Sequence, residues 1–221
     1  IILMYLYFAF STRPFLKKYE MYLHRHMNDR YLIIVKEEIL SLSKNDNIEV
    51  RESIARNENT SSNILEELAM DDSEDVRMGV AENDNTPTSI LKALSADSSR
   101  HVRIRVALNR STMQSTLESL SKDGDNYVRT CVGDNGNTSA AVLEALSTEA
   151  DSSIREGVAR NTSAPVELLK KLAIDEDEFV RQAVARNRVA PIEVLDILVK
   201  DESEFVRERV VENLELRSSS D

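Results

Sequence analysis

Arginine is the side chain in this sequence best placed to do chemistry, because it recurs at a fixed interval. Arg51, Arg77, Arg103, Arg129, Arg155, Arg181 and Arg207 stand 26 residues apart, each directly after a Val or Ile. A planar guanidinium presents five donors in a rigid fork that fits carboxylates and phosphates. The row could therefore form a basic groove for phosphate groups, or it could be consumed by acids of the chain itself. Asp71, Asp97, Asp123, Glu149, Asp175 and Asp201 each stand six residues before one of the arginines from Arg77 onward. With an acid in register for each of these, the row is expected to be a structural ladder in which one fork bridges two acceptors.

Other reactive side chains are sparse. His24, His26 and His101 are the three histidines, and the His24-x-His26 pair has no acidic or cysteine ligand beside it. Cys131 is the one cysteine, so neither an intrachain disulfide nor a thiolate metal cage can form. It occupies a position filled elsewhere by Ser53, Gly79, Gly157 and Ala183, and small size accounts for it. No glycine-rich phosphate loop is present. The sequence thus points away from an enzyme and names no catalytic residue, metal or cofactor.

The elements that carry the arginines repeat with them. Six residues after each Arg stands an Asn: Asn57, Asn83, Asn109, Asn135, Asn161, Asn187 and Asn213. Self-similarity at such a period marks a solenoid, in which each unit buries its apolar face against its neighbours. In the unit from Asp71 to Asp97, Asp71, Asp72 and Ser73 can cap a first helix. Val76 and Val80 share one face of it, and Asn83 is expected to close it in the left-handed conformation. Thr86 is expected to cap a second helix with Pro87 at its first position. Ile90, Leu91 and Leu94 form the buried stripe of that helix. Ala55, Ala81, Ala107, Gly133, Ala159 and Ala185 are uniformly small, which lets helices approach closely. Two short helices per repeat is the reading, and at this length either could be partly 3₁₀.

The pattern Val-Arg-x-x-Val-Ala-x-Asn-x-x-Thr-Pro-x-x-x-Leu-x-x-Leu-x-x-Asp, seen from Val76 to Asp97, resembles the leucine-rich repeat variant, a relative of HEAT-type repeats. The resemblance runs over about residues 48–213. It implies an all-α fold, an αα-superhelix forming a right-handed solenoid of about seven repeats, with α and 3₁₀ helices alternating. The family's cysteine-ligated iron–sulfur module has no counterpart here, because the cysteines are missing. The family has no common activity to transfer.

The organisation is read as a divergent segment 1–35, a repeat array 36–213 and a polar tail 214–221. Eight of the eleven Phe and Tyr residues lie in the first 31 positions, and the chain opens with ten apolar residues. Three readings of that opening stand: the end of a truncated membrane helix, with Arg13, Lys17 and Lys18 as its flank; sequence upstream of a start at Met21 or Met27; or an apolar helix docked on the first repeat. Ile39, Leu40 and Leu42 read as a half-repeat capping the array. The formal charge is −11. Residues 1–47 carry seven Lys/Arg against five Asp/Glu, so the remainder carries −13. Such a body repels phosphate backbones, which disfavours nucleic acid as a partner.

Partner candidates are sought where the repeats differ. At about 100° per residue, the positions two and six after the first Val fall at about 200° and 240°, and are expected to face outward on the concave side. Most of these residues are polar. Met78, Ile104 and Leu108 form an apolar exception, bordered by Glu82, Thr130 and Asp134, with Arg100 and Arg105 making the third repeat locally basic. The resulting expectation is a non-enzymatic, cytoplasmic protein-interaction scaffold. Its partner would be an acidic and apolar protein segment. The alternative is a nucleic-acid binder or repair protein like the HEAT-like alkylpurine glycosylases. That reading would need a basic concave face with aromatics, and the array offers Tyr127, Phe179 and Phe205.

Overall fold

The computed structural model describes residues 39–218. The segment 1–35, with His24 and His26, lies outside the described residues. A short helical turn spans 39–42, and Ile39 is buried in it. First helices of the repeats are α1 (Ile48–Arg56), α3 (Glu74–Glu82), α5 (Arg100–Leu108), α7 (Asn126–Asp134), α9 (Ser152–Arg160), α11 (Glu178–Arg186) and α13 (Glu204–Ser218). Second helices are α2 (Ser62–Leu68), α4 (Thr88–Leu94), α6 (Gln114–Leu120), α8 (Ala140–Leu146), α10 (Val166–Leu172) and α12 (Ile192–Leu198). The described residues hold no strand. The fold is an all-α repeat solenoid.

Two compact units divide the chain, Ile1–Val80 and Ala81–Asp221, and the boundary falls inside α3. In the first unit, Ile54 and Ala55 of α1 are buried, as are Ile64, Leu65 and Leu68 of α2 and Val76 and Val80 of α3. In the second unit the first helices pack directly on one another in series: α5 on α7, α7 on α9, α9 on α11 and α11 on α13. Val102 and Val106, Val128 and Val132, Ile154 and Val158, and Val180 and Val184 have no exposed surface. Leu117, Leu143, Leu169 and Leu195 of the second helices meet them in the same core.

Both helices of each repeat are α. The expected 3₁₀ character survives as single i+3 bonds at the ends of the second helices, for example Ile90 N–H to the Pro87 carbonyl (2.9 Å). First helices start on Asx and Ser caps: Asp125 accepts from the N–H groups of Tyr127 and Val128, Asp151 from Ser153 and Asp177 from Phe179. Pro87, Pro165 and Pro191 stand at the cap itself, one position earlier than expected, with their carbonyls taking the first helical bond.

The threonines do not cap the second helices. Thr60, Thr112 and Thr138 are buried, and each hydroxyl donates to the carbonyl six residues earlier, at the end of the first helix (2.6 Å in each case). Asn also departs from expectation, because no non-glycine residue among those described has positive φ. Asn57, Asn109, Asn135, Asn161 and Asn187 close the first helices in extended conformation.

Candidate functional site

Two ladders run through the turns, and they account for most of the polar residues the repeat holds constant. In the first unit, Arg51 donates from Nε and Nη2 to the two carboxylate oxygens of Asp71 (2.7 and 3.0 Å) and from Nη1 to the Asn45 carbonyl (2.7 Å). In the second unit Arg103 holds Asp123, Arg155 holds Asp175 and Arg181 holds Asp201 by the same fork. The remaining nitrogen of each reaches the backbone carbonyl of the acid six residues before it. The acid in register therefore contributes its carbonyl to one arginine and its carboxylate to another, the arginine 20 residues earlier. This corrects the expectation that Arg129 is the partner of the Asp123 carboxylate: Arg129 takes the Asp123 carbonyl (2.7 Å), while Arg103 takes the carboxylate. Arg77 and Arg207 likewise donate to the carbonyls of Asp71 and Asp201.

The rungs titrate accordingly. The hydrogen bonds from Arg51 hold the Asp71 carboxyl below its ordinary range, against the cost of burial. At Asp123, Asp175 and Asp201 burial pushes upward most strongly. The arginine fork, a backbone N–H and two nearby guanidinium charges together outweigh it and keep the carboxyl low.

A second ladder was missed in the sequence. Asn109, Asn135, Asn161, Asn187 and Asn213 are buried, and each amide nitrogen donates to two carbonyls of the preceding repeat. Asn161, for instance, reaches Gly133 (2.7 Å) and Asn135 (2.8 Å). Its Oδ1 accepts from the Ser163 N–H two residues on (2.7 Å). The amide thus satisfies helix-end carbonyls that the next repeat would otherwise bury unpaired. The sevenfold recurrence of Asn was the available signal. The lateral role needed the distance between repeats.

The proposed partner surface is only partly assembled. Met78 lies in the first unit and is half-buried. In the second unit Ile104 and Thr130 are buried, at 8% and 5% exposure, and do not face outward. A helix inside a row is covered on both flanks as well as underneath. Thr130 shows this directly, since a Cβ on Gly157 of α9 would stand 2.5 Å from the Thr130 carbonyl oxygen. The position two residues after the first Val is thus wedged against the next first helix. The position six residues after it forms the more exposed strip: Leu108 is 41% exposed, Asp134, Arg160, Arg186 and Glu212 are exposed, and Glu82 is half-buried.

Arg105 sits beside this strip and pairs with Glu82 (2.8 Å). Arg160 pairs with Asp134 (3.3 Å). Arg100 does not join them. It stands at the opposite end of α5, about 12 Å from Leu108 along the axis, near Asp125 (3.4 Å). The positive character expected of the third repeat is thus largely neutralised by Glu82, Asp123 and Asp125. Tyr127, Phe179 and Phe205 are exposed, but in the first turns of α7, α11 and α13 rather than on the strip. Burial pushes the Cys131 thiol up to about 11, which keeps it protonated and unreactive. Among the described residues no group of three His, Cys, Asp or Glu side chains could hold a metal ion, and no helix is long and apolar enough to cross a membrane.

No family model matches the chain, and no curated protein matches it. Among solved structures it is similar to one described as a leucine-rich repeat variant with a novel repetitive protein structural motif. That likeness has a TM-score of 0.56 at 24% identity, over 87% of this chain and 79% of the other. Two engineered proteins also align, each at 18% identity and over 86% of this chain. One is covered over 97% of its length with a TM-score of 0.36, the other over 98% with 0.35. The stacked two-helix repeats, their helical core and the first of these likenesses together give this chain the fold of a leucine-rich repeat variant.

Proposed function

We propose that the protein is a non-enzymatic scaffold that binds a protein partner along the exposed strip of its first helices. One observation carries this reading. The rows that hold the repeats together are nearly uniform in residue type, whereas the strip changes character at four of its five steps, with only Arg160 and Arg186 alike. Glu82, Leu108, Asp134, Arg160, Arg186 and Glu212 share one structural position and supply two signs of charge and an aliphatic side chain. Stacking fixes no single residue type at this position: Glu82 and Asp134 meet arginines of the next repeat, while Leu108 makes no such ion pair, so a partner can set the chemistry of the row. Leu108, bordered by the Arg105–Glu82 pair, is the apolar centre of the strip, the kind of contact that commonly dominates an interface. Nucleic acid fits less well, because the arginine row is engaged by carboxylates of the chain itself. A reducing compartment such as the cytoplasm suits a chain with a single buried thiol.

The test is a comparison of proteins recovered on the immobilised chain with those recovered on Leu108→Asp and on Leu108→Asp with Arg186→Glu. Circular dichroism should be unchanged in both variants, since the altered side chains are exposed. The principal recovered species should fall about tenfold or more with the first variant. Equal recovery on all three would rule out the strip as the binding surface.

A further inference from the structure

The turn that leads from each second helix into the next first helix varies at the positions around an arginine rung. In the second unit, the residue before the rung acid runs Ala96, Lys122, Thr148, Ile174 and Lys200, and the residue after it Ser98, Gly124, Ala150, Glu176 and Glu202. On the second helix, the neighbouring position runs Ala93, Ser119, Ala145, Lys171 and Ile197. Two isoleucines and two glutamates coincide at a single junction of this unit. There they line a surface cleft with Ala173 and Arg181.

The floor of the cleft is apolar and wet: Ile174 is 72% exposed and Ile197 38%. Its one cation is fully engaged. Arg181 gives Nε and Nη2 to Asp201 and Nη1 to the carbonyls of Asp175 and Glu176. Glu202 approaches Arg181 only to 3.6 Å, and Glu176 approaches Arg155 only to 3.6 Å, with each glutamate side chain about nine-tenths exposed. Around these two rungs the guanidiniums of Arg155, Arg181 and Arg207 face four carboxylates, Asp175, Glu176, Asp201 and Glu202, which leaves a surplus negative charge beside the isoleucines. Over residues 174–205 there are nine Asp/Glu against four Lys/Arg, a balance of −5. The matching depression one repeat earlier is lined by Thr148, Glu149 and Ala150 and lacks an aliphatic floor.

We propose that the cleft between the 173–176 and 197–202 turns docks an extended, cationic and amphipathic protein segment in which Lys or Arg alternates with aliphatic residues. An aliphatic side chain of the segment covers Ile174 and Ile197. The neighbouring Lys or Arg lays its stem along the same floor and brings its head to Glu176 and Glu202. A purely apolar occupant would strip water from those two carboxylates and give them nothing in return. An anionic one would meet the surplus charge directly. In an extended segment every second side chain shares a face, so the aliphatic residues can meet the floor together while the long stems of the flanking Lys or Arg side chains reach round to the glutamates beside it. Apart from Arg181, which shares α11 with Arg186, this surface lies on other elements than the strip around Leu108, and the two assignments stand or fall separately.

The experiment is fluorescence anisotropy of a labelled peptide of alternating lysine and leucine, titrated with the full chain. Glu176→Gln with Glu202→Gln, and separately Ile174→Ser, should each weaken binding about tenfold. The exposed pair Glu66→Gln with Asp84→Asn removes the same charge elsewhere and should change it less than about twofold. The matching glutamate–leucine peptide should not bind. An equal loss in the control pair would show that the peptide reads bulk charge and would overturn the proposal. So would equal affinity for a lysine-only peptide, no effect of either cleft variant, or no binding of the lysine–leucine peptide.

Discussion

One carboxylate in the ladder differs from the others by a methylene. Asp71, Asp97, Asp123, Asp175 and Asp201 each accept the backbone N–H two residues on, which fixes the side chain in a turn. With the carboxylate held this way, Asp71, Asp123, Asp175 and Asp201 present both oxygens to an arginine. Glu149 is too long for this geometry. It meets Arg129 at one contact of 3.4 Å, and the Arg129 Nε is buried without a hydrogen-bond partner. Glu149→Asp should restore the turn bond and the two-pronged rung. The expected gain is about 1 kcal/mol, a rise in Tm of roughly 2–4 °C for a chain of this size. Thermal melting by circular dichroism checks it, and an unchanged or lower Tm would show that the rung at Arg129 gains nothing from the shorter acid.

At the scale of the helix, α7 and α9 approach each other closely at two glycines. Gly157 faces the Thr130 carbonyl, and Gly133 faces the backbone of Val158, where an added Cβ would stand 3.0 Å from the amide nitrogen. These glycines are required by proximity rather than by conformation, since neither has positive φ. Gly157→Ala is the informative change, because alanine otherwise favours a helix by up to ~1 kcal/mol. Here the added methyl must push the backbone of α7 away, and the net effect is expected to be destabilising by about 2 kcal/mol. Urea unfolding measures it. A stabilised variant would mean that the two helices separate freely and that their contact contributes little.

For the molecule as a whole, the repeated rungs couple stability to pH. The folded carboxyls of Asp123, Asp175 and Asp201 are lowered relative to an unfolded value near ~4. A group with a lowered folded pKa contributes stability that is fully present above the unfolded value and is lost as pH falls through the folded one. Tm should therefore be flat from about pH 8 to 6 and drop below about pH 4, steeply because several equivalent rungs protonate together. Asp175→Asn should cost about 3 kcal/mol near neutral pH, by leaving the buried Arg155 with only the distant, exposed Glu176 (3.6 Å) in place of its two-pronged partner, and should make the acid limb shallower. Melts recorded across that range test both, and an acid limb of unchanged slope in the variant would assign the pH response to other groups.

Sequence alone determined whatever depends on one repeat and its copies. The 26-residue period, the two helices per unit, the Val and Leu core rows and the small residues between first helices are all legible, because periodicity and size report burial directly. The pairing of the arginines with acids was legible too, as a coincidence of type and register. Their connectivity was not. Whether Asp123 answers Arg129 or Arg103 depends on how far one turn lies above the next, and that distance is set by packing. The same distance turned Asn161 from a helix end into a crosslink to Gly133 and Asn135. It also decided the surface. A single helix has one buried face, so Ile104 and Thr130 read as outward. A first helix with a neighbour on each flank buries three sides, and only the strip through Leu108 stays exposed on it.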